Sequence, residues 1–557
     1  MAENTPGGHA LAASTCSPPP RRLHLHLWVL MSLLIFLGVT LVAPLAWVVH
    51  TAAGPADTSA GLPLLRSFLH SLALAGTVAV VGSLLALCTA VTAQSLGPRG
   101  RHLLDVAVCV PVAVPPGALA ASVLATAGNA GWLPHPGRIS AVHGLFGMVW
   151  AMLVMLVPLA HLLCRAALRT LDPRTLEGAA ISGASPLRVL RAVVLPHVAP
   201  AVVIGATVLL VAAMSDPAVP AVLRGRTPNL AHLALDTTAG WGQDAVAARA
   251  ALLLATPALL LVPALLLFRT RFSTAWDPGA RSARLDLPAG AVRAAVLVPT
   301  FIHVLVCLAA LVTLFVQTLP LLYGAHRWQA LGEALGVSLS TLGLSVLACL
   351  IALPLAAGSV WLQRHPTRHI PRPAQLLLLL AVLPGTTVGI CFSLAARVPR
   401  SLGPLHLPAL VGGASPTGGV LGILLMLMTI ALPVLYVGVR ALWDAVPRAV
   451  RDSARVSGVG QRALLFVVVL PSAGVLSAAL AAVAVGRCMV SVVPLAYVTS
   501  PDTALVVSRV LDLTDHSRTP EACLVGLLTA VLTALLFTLT QAVVAHLLPR
   551  LGGAPPR

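Results

Sequence analysis

The sequence contains Glu177-Gly178-Ala179-Ala180-Ile181-Ser182-Gly183, which is followed by Leu195-Pro196. It also contains Asp452-Ser453-Ala454-Arg455-Val456-Ser457-Gly458, which is followed by Leu470-Pro471. In both stretches an acidic residue leads, Gly follows six residues later, and Leu-Pro closes the segment at the same distance. Because each copy lies between long apolar runs, the pattern indicates one unit that occurs twice in the chain.

The composition is that of a membrane protein. Of the 557 residues, 58% are hydrophobic and only 9% are charged, and the mean hydropathy is +0.94. A helix needs about 20 apolar residues to cross a bilayer. Twelve such spans are predicted, at 27–50, 67–93, 103–127, 141–164, 198–216, 247–268, 294–323, 334–362, 375–396, 418–439, 473–498 and 522–548.

The formal net charge of +18 comes entirely from Arg, since the chain contains no Lys. With the N-terminus in the cytoplasm, 24 Arg fall in cytoplasmic segments, 10 in external segments and one, Arg487, inside a span. Cytoplasmic loops of membrane proteins carry an excess of basic residues. The distribution therefore predicts that both termini are cytoplasmic, and it explains the basic charge without nucleic acid as a partner.

The repeated segment resembles the EAA loop of ABC importer permeases, which docks the membrane subunit onto its ATPase. The resemblance implies an all-α polytopic protein of the type I ABC importer architecture, in the bacterial cytoplasmic (inner) membrane. Two copies imply two permease halves fused head to tail, each with six spans. Because six is even, both halves share one orientation, and we expect two parallel repeats about a pseudo-two-fold axis along the membrane normal.

The rest of the chain divides around these repeats. The predicted parts are a disordered cytoplasmic N-terminus at 1–26, a first permease half at 27–268, a cytoplasmic linker at 269–293, a second half at 294–548 and a cytoplasmic tail at 549–557. The N-terminus is rich in Pro, Gly and Ser, which is typical of disorder. The halves also match outside the repeated segment, since Pro115-Pro116-Gly117 corresponds to Leu383-Pro384-Gly385.

Each repeated segment is predicted to form two short helices at an angle, which together can transmit a rigid-body motion. In the first copy, Asp172 is suited to cap a helix that begins at Pro173, Gly183 ends it, and Pro186 starts the next. The Leu-Pro pair then returns the chain to the membrane. Arg455 stands where the family usually has Ala. The residues assigned to ATPase docking are Glu177, Ala179, Ala180, Gly183, Leu195 and Pro196, with Asp452, Ala454, Gly458, Leu470 and Pro471 in the second copy.

The second half resembles one branch of this family more closely. Pro384-Gly385-Thr386-Thr387-Val388-Gly389-Ile390 is similar to the PGTVLGI stretch of iron(III) permeases, and Arg487-Cys488-Met489 with Ser491 is similar to their RAMTAIS stretch. In the first half, Ser215-Asp216-Pro217 is similar to their SDFGTPALLGG segment. The resemblance implies ferric iron as the substrate. Permeases for 2-aminoethylphosphonate, thiamine and polyamines share much of this pattern and remain alternatives.

The candidate pathway residues are Ser215, Asp216, Arg487 and Ser491. A charge inside a span is costly and usually faces a cavity or a partner. We therefore expect these side chains to line a gate between the halves. The alternative is a structural salt bridge between the halves, and the sequence leaves both open.

The sequence shows no catalytic constellation and no metal site, so we predict a transport subunit rather than an enzyme. A standard phosphate-binding loop needs a Lys, which this chain lacks. ATP and Mg²⁺ are therefore expected on a separate ABC ATPase subunit, present as a homodimer, and no cofactor is expected in this chain. The family resemblance also implies an extracytoplasmic solute-binding protein. A secondary transporter is the less favoured reading, because such proteins usually place several carboxylates in mid-span.

Overall fold

A computed structural model describes residues 20–54, 61–128, 142–240, 243–269, 284–364, 377, 380, 383–402, 405–412, 415–444, 449, 452–453, 456–458, 474–491, 493–499 and 503–551. Its regular structure is helical, as predicted, apart from one antiparallel hairpin of β1 (Arg400–Leu402) and β2 (Leu405–Leu407). The chain is an all-α polytopic membrane protein. Within the described residues, nine helices are long and apolar enough to cross a membrane, or ten if one bent pair counts as a span.

The helices follow the predicted order of spans in both halves. The first half contains α1 (Pro20–Leu37), α2 (Ala43–Ala52), α3 (Gly61–Ser95), α4 (Pro98–Cys109), α5 (Pro116–Ala127), α6 (Leu145–Arg169), α7 (Pro173–Ile181), α8 (Pro186–Val189), α9 (Leu195–Ser215), α10 (Ala218–Leu223), α11 (Leu230–Leu235) and α12 (Asp244–Arg269). The second half contains α13 (Ala291–Tyr323), α14 (Arg327–Arg364), α15 (Gly385–Ala396), α16 (Val420–Asp444), α17 (Gly474–Val490), α18 (Val506–Asp515) and α19 (Thr519–Leu551).

Two predicted boundaries differ from the structure. The first helix begins at Pro20, so the segment 20–26 is helical although the sequence predicted disorder up to residue 26. The second half begins its first helix at Ala291, three residues before the predicted boundary. Both differences have the same cause. The boundaries were predicted from the extent of the apolar runs, and the helices continue beyond those runs.

The third span is broken, whereas the sequence predicted one continuous helix over 103–127. The segments Pro98–Ala113 and Pro116–Ala127 meet at an angle of 106°, as a broken span or a re-entrant loop does. Pro115 is extended, with ψ of 138°, because a residue followed by Pro is disfavoured in the helical region. In the second half, Pro384 has the same conformation (ψ 133°) at the start of α15.

The helix of the fifth span begins far outside its predicted boundary. Residues Pro186–Ser215 form one continuous span, so the helix that carries Leu195-Pro196 begins before the predicted start at residue 198. A π-helical turn at Leu190–Val194 precedes Pro196, and Leu195 donates its N–H to the Leu190 carbonyl five residues back. This wider turn accommodates a residue that has no N–H of its own.

Each half packs the short helix that begins at its Pro-Gly pair against the other half. Helix α5 of the first half packs on α13 and α19 of the second half, and α15 of the second half packs on α2 and α12 of the first. Thr126 donates a hydrogen bond to Thr313 (2.9 Å), and Thr387 donates to the Ala251 carbonyl (3.0 Å). We call this contact surface between the halves the seam. Its reciprocal pattern is what a pseudo-two-fold arrangement of the halves produces.

Helices α10, α11 and α18 lie at one end of the helix bundle, which we call the far end. The two halves make an equivalent contact there. In the first half, the Leu230 N–H donates to the Ser71 hydroxyl (2.8 Å). In the second, the Val506 N–H donates to the Thr341 hydroxyl (3.0 Å). In both, a hydroxyl on the second span satisfies the first N–H of a short helix, which otherwise lacks a partner.

Candidate functional site

The first repeated segment, 172–194, forms a capped helix at the end opposite to the far end. Asp172 accepts a hydrogen bond from the Arg174 N–H (2.9 Å), and Pro173 occupies the first helical position, which confirms the predicted start of α7. The helix ends at Gly183, whose φ of +69° lies in the left-handed region. The Ala184 N–H reaches back to the Ala179 carbonyl (3.0 Å), which completes a Schellman cap.

The second repeated segment ends in the same way where the structure describes it. Gly458 has a φ of +71°, and the Ser457 N–H donates to the Ser453 carbonyl (2.9 Å). The first segment has the equivalent bond from Ser182 to Gly178 (3.0 Å). The predicted docking residues Ala454, Leu470 and Pro471 lie outside the described residues.

Both segments expose an apolar side chain that the sequence motif did not indicate. Ile181 is 88% exposed and Val456 is 90% exposed, and they lie 275 residues apart at equivalent positions. No residue of α7 is buried. Of the predicted docking residues, Glu177, Ala180, Gly183, Leu195, Pro196, Asp452 and Gly458 are exposed, and Ala179 is half-buried. The signal that could have identified this pair is an apolar residue at the same place in two otherwise polar segments.

The predicted pathway residues of the first half lie at the seam. Ser215 ends α9, and its carbonyl accepts a hydrogen bond from the Thr386 hydroxyl of the second half (2.9 Å). Asp216 follows and is only 1% exposed. One of its carboxylate oxygens accepts from the Ala218 N–H (2.7 Å), and the other has no hydrogen-bond partner. A buried carboxylate with one oxygen atom lacking a hydrogen bond is costly to maintain. Asp216 is therefore a candidate functional residue.

The pathway residues of the second half lie near the break after α17. Ser491 is buried directly after the helix, and its position corresponds to Asp216, 275 residues earlier. Arg487 lies one turn before this break. Its side chain is exposed although protein atoms surround it, so it faces an internal space rather than the outer surface. Asp216 and Arg487, both described, do not form a salt bridge with each other.

The far end brings together short elements of both halves. Helix α10 packs on α5 and on α18 of the second half, and the buried Tyr497 donates its hydroxyl hydrogen bond to the Ala231 carbonyl (3.0 Å). Partial burial raises the pKa of the Asp515 carboxyl, and His232 of the first half opposes this increase. Among the described residues, no group of His, Cys, Asp or Glu is arranged to hold a metal ion.

Two similarities to known proteins bear on this site. Residues 79–273 match the family model described as "Binding-protein-dependent transport system inner membrane component". This range includes α7, the first repeated segment, and Ser215 with Asp216. The "Probable ABC transporter permease protein y4fN" of Sinorhizobium fredii (strain NBRC 101917 / NGR234) is 40% identical over 83 residues, which is 15% of this chain and 15% of that protein.

These similarities support the binding-protein-dependent permease class and a multi-pass protein of the inner membrane. That family is a membrane component of ABC transporters and not itself a catalytic enzyme. The chain spans about 15% of the length of the curated relative it matches. The matched family segment covers most of the first half of the chain, where the capped helix and the seam residues have just been described.

Proposed function

We propose that this chain is a membrane-spanning permease subunit of an ATP-driven ABC importer, with two permease halves in one polypeptide and both termini in the cytoplasm. The observation that carries this proposal is the pair of equivalent segments, each closed by a left-handed Gly and each presenting an exposed apolar side chain. A second site of the same shape is what a dimeric ATPase with two equivalent surfaces requires. ATP and Mg²⁺ belong to that ATPase, expected as a homodimer.

The proposed cycle uses the rigid connections of the fold. Because α8 and α9 form one continuous helix, a force on the first segment reaches Ser215 at the seam without a flexible joint. Closure of the ATPase dimer on ATP would draw the two segments together, and the halves would rock between inward- and outward-facing states. An extracytoplasmic solute-binding protein would deliver the substrate to the far end.

The proposed substrate is ferric iron, on the resemblance of the 384–390 and 487–491 stretches to iron(III) permeases. The experiment is uptake of labelled Fe³⁺ by cells with and without this gene, with 2-aminoethylphosphonate uptake measured in parallel. Loss of iron uptake alone supports the proposal. Loss of phosphonate uptake alone would keep the importer and reject the substrate, and unchanged uptake of both would reject both substrates.

Replacing Arg487 by Ala is expected to reduce uptake by about tenfold or more, equivalent to about 1.4 kcal/mol in the barrier to opening the gate between the halves. The physical reason is that this charge faces an internal space and forms no salt bridge with Asp216. Uptake is measured in membranes whose content of assembled transporter is matched, and Arg487→Lys, which keeps the charge, should retain most of the activity. Full uptake by Arg487→Ala at full assembly would remove Arg487 from the pathway.

A further inference from the structure

A buried polar cluster in the first half joins three helices. The Asp105 carboxylate accepts two parallel hydrogen bonds from Arg165, at 3.1 Å from Nε and 3.2 Å from Nη2. His161 Nε2 lies 3.0 Å from the same carboxylate. Arg165 Nη1 donates to the Gln94 side-chain oxygen (2.5 Å). We call these residues, Gln94, Asp105, His161 and Arg165, the Asp105 cluster.

The cluster is held rigidly. Arg165 is 3% exposed and His161 is fully buried. A bidentate pair between Arg and a carboxylate fixes both orientation and distance. Separating such charges in a poorly polar interior is costly, so the helices that carry Asp105 and Arg165 are expected to move together. The sequence places His161 within an apolar span, where packing or interhelical hydrogen bonding is expected, and His161 does bond to a residue of another helix.

The position of the cluster connects the first repeated segment to the seam. Arg165 lies on α6, seven residues before Asp172, the cap of α7. Asp105 lies on α4, the first arm of the broken span. The second arm, α5, enters the second half, where a side chain at Gly117 would meet Val510 at 2.8 Å.

The cluster also holds the connection between the two halves. The Leu285 N–H, in the linker, donates to the Gln94 carbonyl (3.2 Å). Arg284 donates to the carbonyl of the neighbouring Ser95 (2.9 Å). Gln94 therefore binds Arg165 through its side chain and the linker through its backbone. One cluster thus contacts the helix that leads to the repeated segment, the broken span and the linker.

Among the described residues of the second half, no equivalent ion pair is present. Arg440, which lies 275 residues after Arg165, is exposed and pairs with Asp444 one turn later on the same helix (3.7 Å). Gln363 accepts instead from the neutral Tyr436 hydroxyl (2.5 Å). Aligning the two Pro-Gly pairs at residues 116 and 384 places Pro373 opposite Asp105, so the sequence supplies no carboxylate at that position.

We propose that Asp105 is a positioning residue that couples the first repeated segment to the seam, so that the first ATPase contact drives the movement of the broken span more strongly than the second. This inference rests on the proposed function, since it presumes that an ATPase docks at both segments. It adds that the two docking sites are unequal, because the first leads to the ion pair between α6 and α4, which has no counterpart among the described residues of the second half.

The test is hydrogen–deuterium exchange on the transporter copurified with its ATPase, with and without MgATP. In the unmodified protein, MgATP should lower exchange in the first segment (173–194) and in α5 (116–127). In Asp105→Asn the response at 173–194 should remain, and the response at 116–127 should fall by about fivefold or more, the lower range of an allosteric coupling. Asp105→Glu, which retains the charge, should restore the response at 116–127.

The controls separate coupling from a structural role and from the function itself. Asp444→Asn removes the carboxylate of the exposed pair in the second half and should leave both responses unchanged. If Asp105→Asn without ATP already shows raised exchange throughout the first half, the cluster is only structural and the proposal is wrong. The proposal is also wrong if MgATP lowers exchange at 116–127 in Asp105→Asn by the same amount as in the unmodified protein. No MgATP response at 173–194 in the unmodified protein would instead reject ATPase docking, and with it the proposed function.

Discussion

Replacing Ile181 and Val456 together by Glu should release the ATPase from the permease and abolish ATP-dependent uptake. Each side chain is about nine-tenths exposed on a helix end that is otherwise polar, and burying an aliphatic side chain in a partner contributes about 1.5 kcal/mol or more. Loss of two such contacts weakens binding by about 100-fold, and a buried unpaired carboxylate adds to this loss. The measurement is the amount of ATPase that copurifies with the permease.

The single variants at these two positions compare the docking sites directly. If the two sites bind the ATPase with equal affinity, the Ile181→Glu and Val456→Glu variants should show similar decreases in the amount of copurified ATPase. Tyr323→Glu is the matched control, because Tyr323 is 83% exposed but lies at the far end, and it should not affect copurification. A double variant that keeps its full complement of ATPase would show that neither side chain contributes to docking.

Replacing Gly526 by Val should destabilise the seam. A Cβ atom at Gly526, on α19 of the second half, would overlap with the Cβ of Ala118 on α5 of the first half. Two Cβ atoms cannot approach so closely, so the helices must separate. Overpacking of this kind costs about 1–3 kcal/mol. We expect a lower thermal midpoint and a smaller fraction of monodisperse protein on size-exclusion chromatography.

Gly343→Val provides the matched control for this substitution. Gly343 lies on α14, and no atom lies within 4 Å of the place that a Cβ would take there. The same change should therefore leave the thermal midpoint close to that of the unmodified protein. Equal midpoints for the Gly526 and Gly343 variants would show that α5 and α19 do not pack closely, and would contradict the seam described between the two halves.

The sequence predicted the class of fold and the two repeated segments because these depend on local patterns. Apolar length identifies spans, and the caps at Asp172 and Gly183 follow from the conformational preferences of those residue types. The bend at Pro115 was not predicted because both arms of the broken span are apolar. The hydropathy of a segment does not show the direction in which its helix axis points. The fifth span begins earlier than predicted because a π-helical turn allows the helix to continue through Leu195-Pro196.

The candidate site was only partly predictable. Asp216 and Arg487 were identified as unusual charges in apolar surroundings, but their separation and the internal space beside Arg487 depend on how distant helices pack. Asp105 looks like a residue at the end of a span, and nothing near it in the sequence indicates that Arg165, sixty residues later, binds it. Long-range partners of this kind become apparent only in three dimensions.

The contacts of α5 with the second half have a consequence for how the protein is made. While the ribosome is still synthesising the second half, α5 has neither α13 nor α19 to cover it, so the first half stands in the bilayer with an unfinished packing surface. Larger proteins with such incomplete intermediates are open to misassembly and degradation. Because α5, α13 and α19 lie on one chain, this early surface meets its partners without the search for a separate subunit.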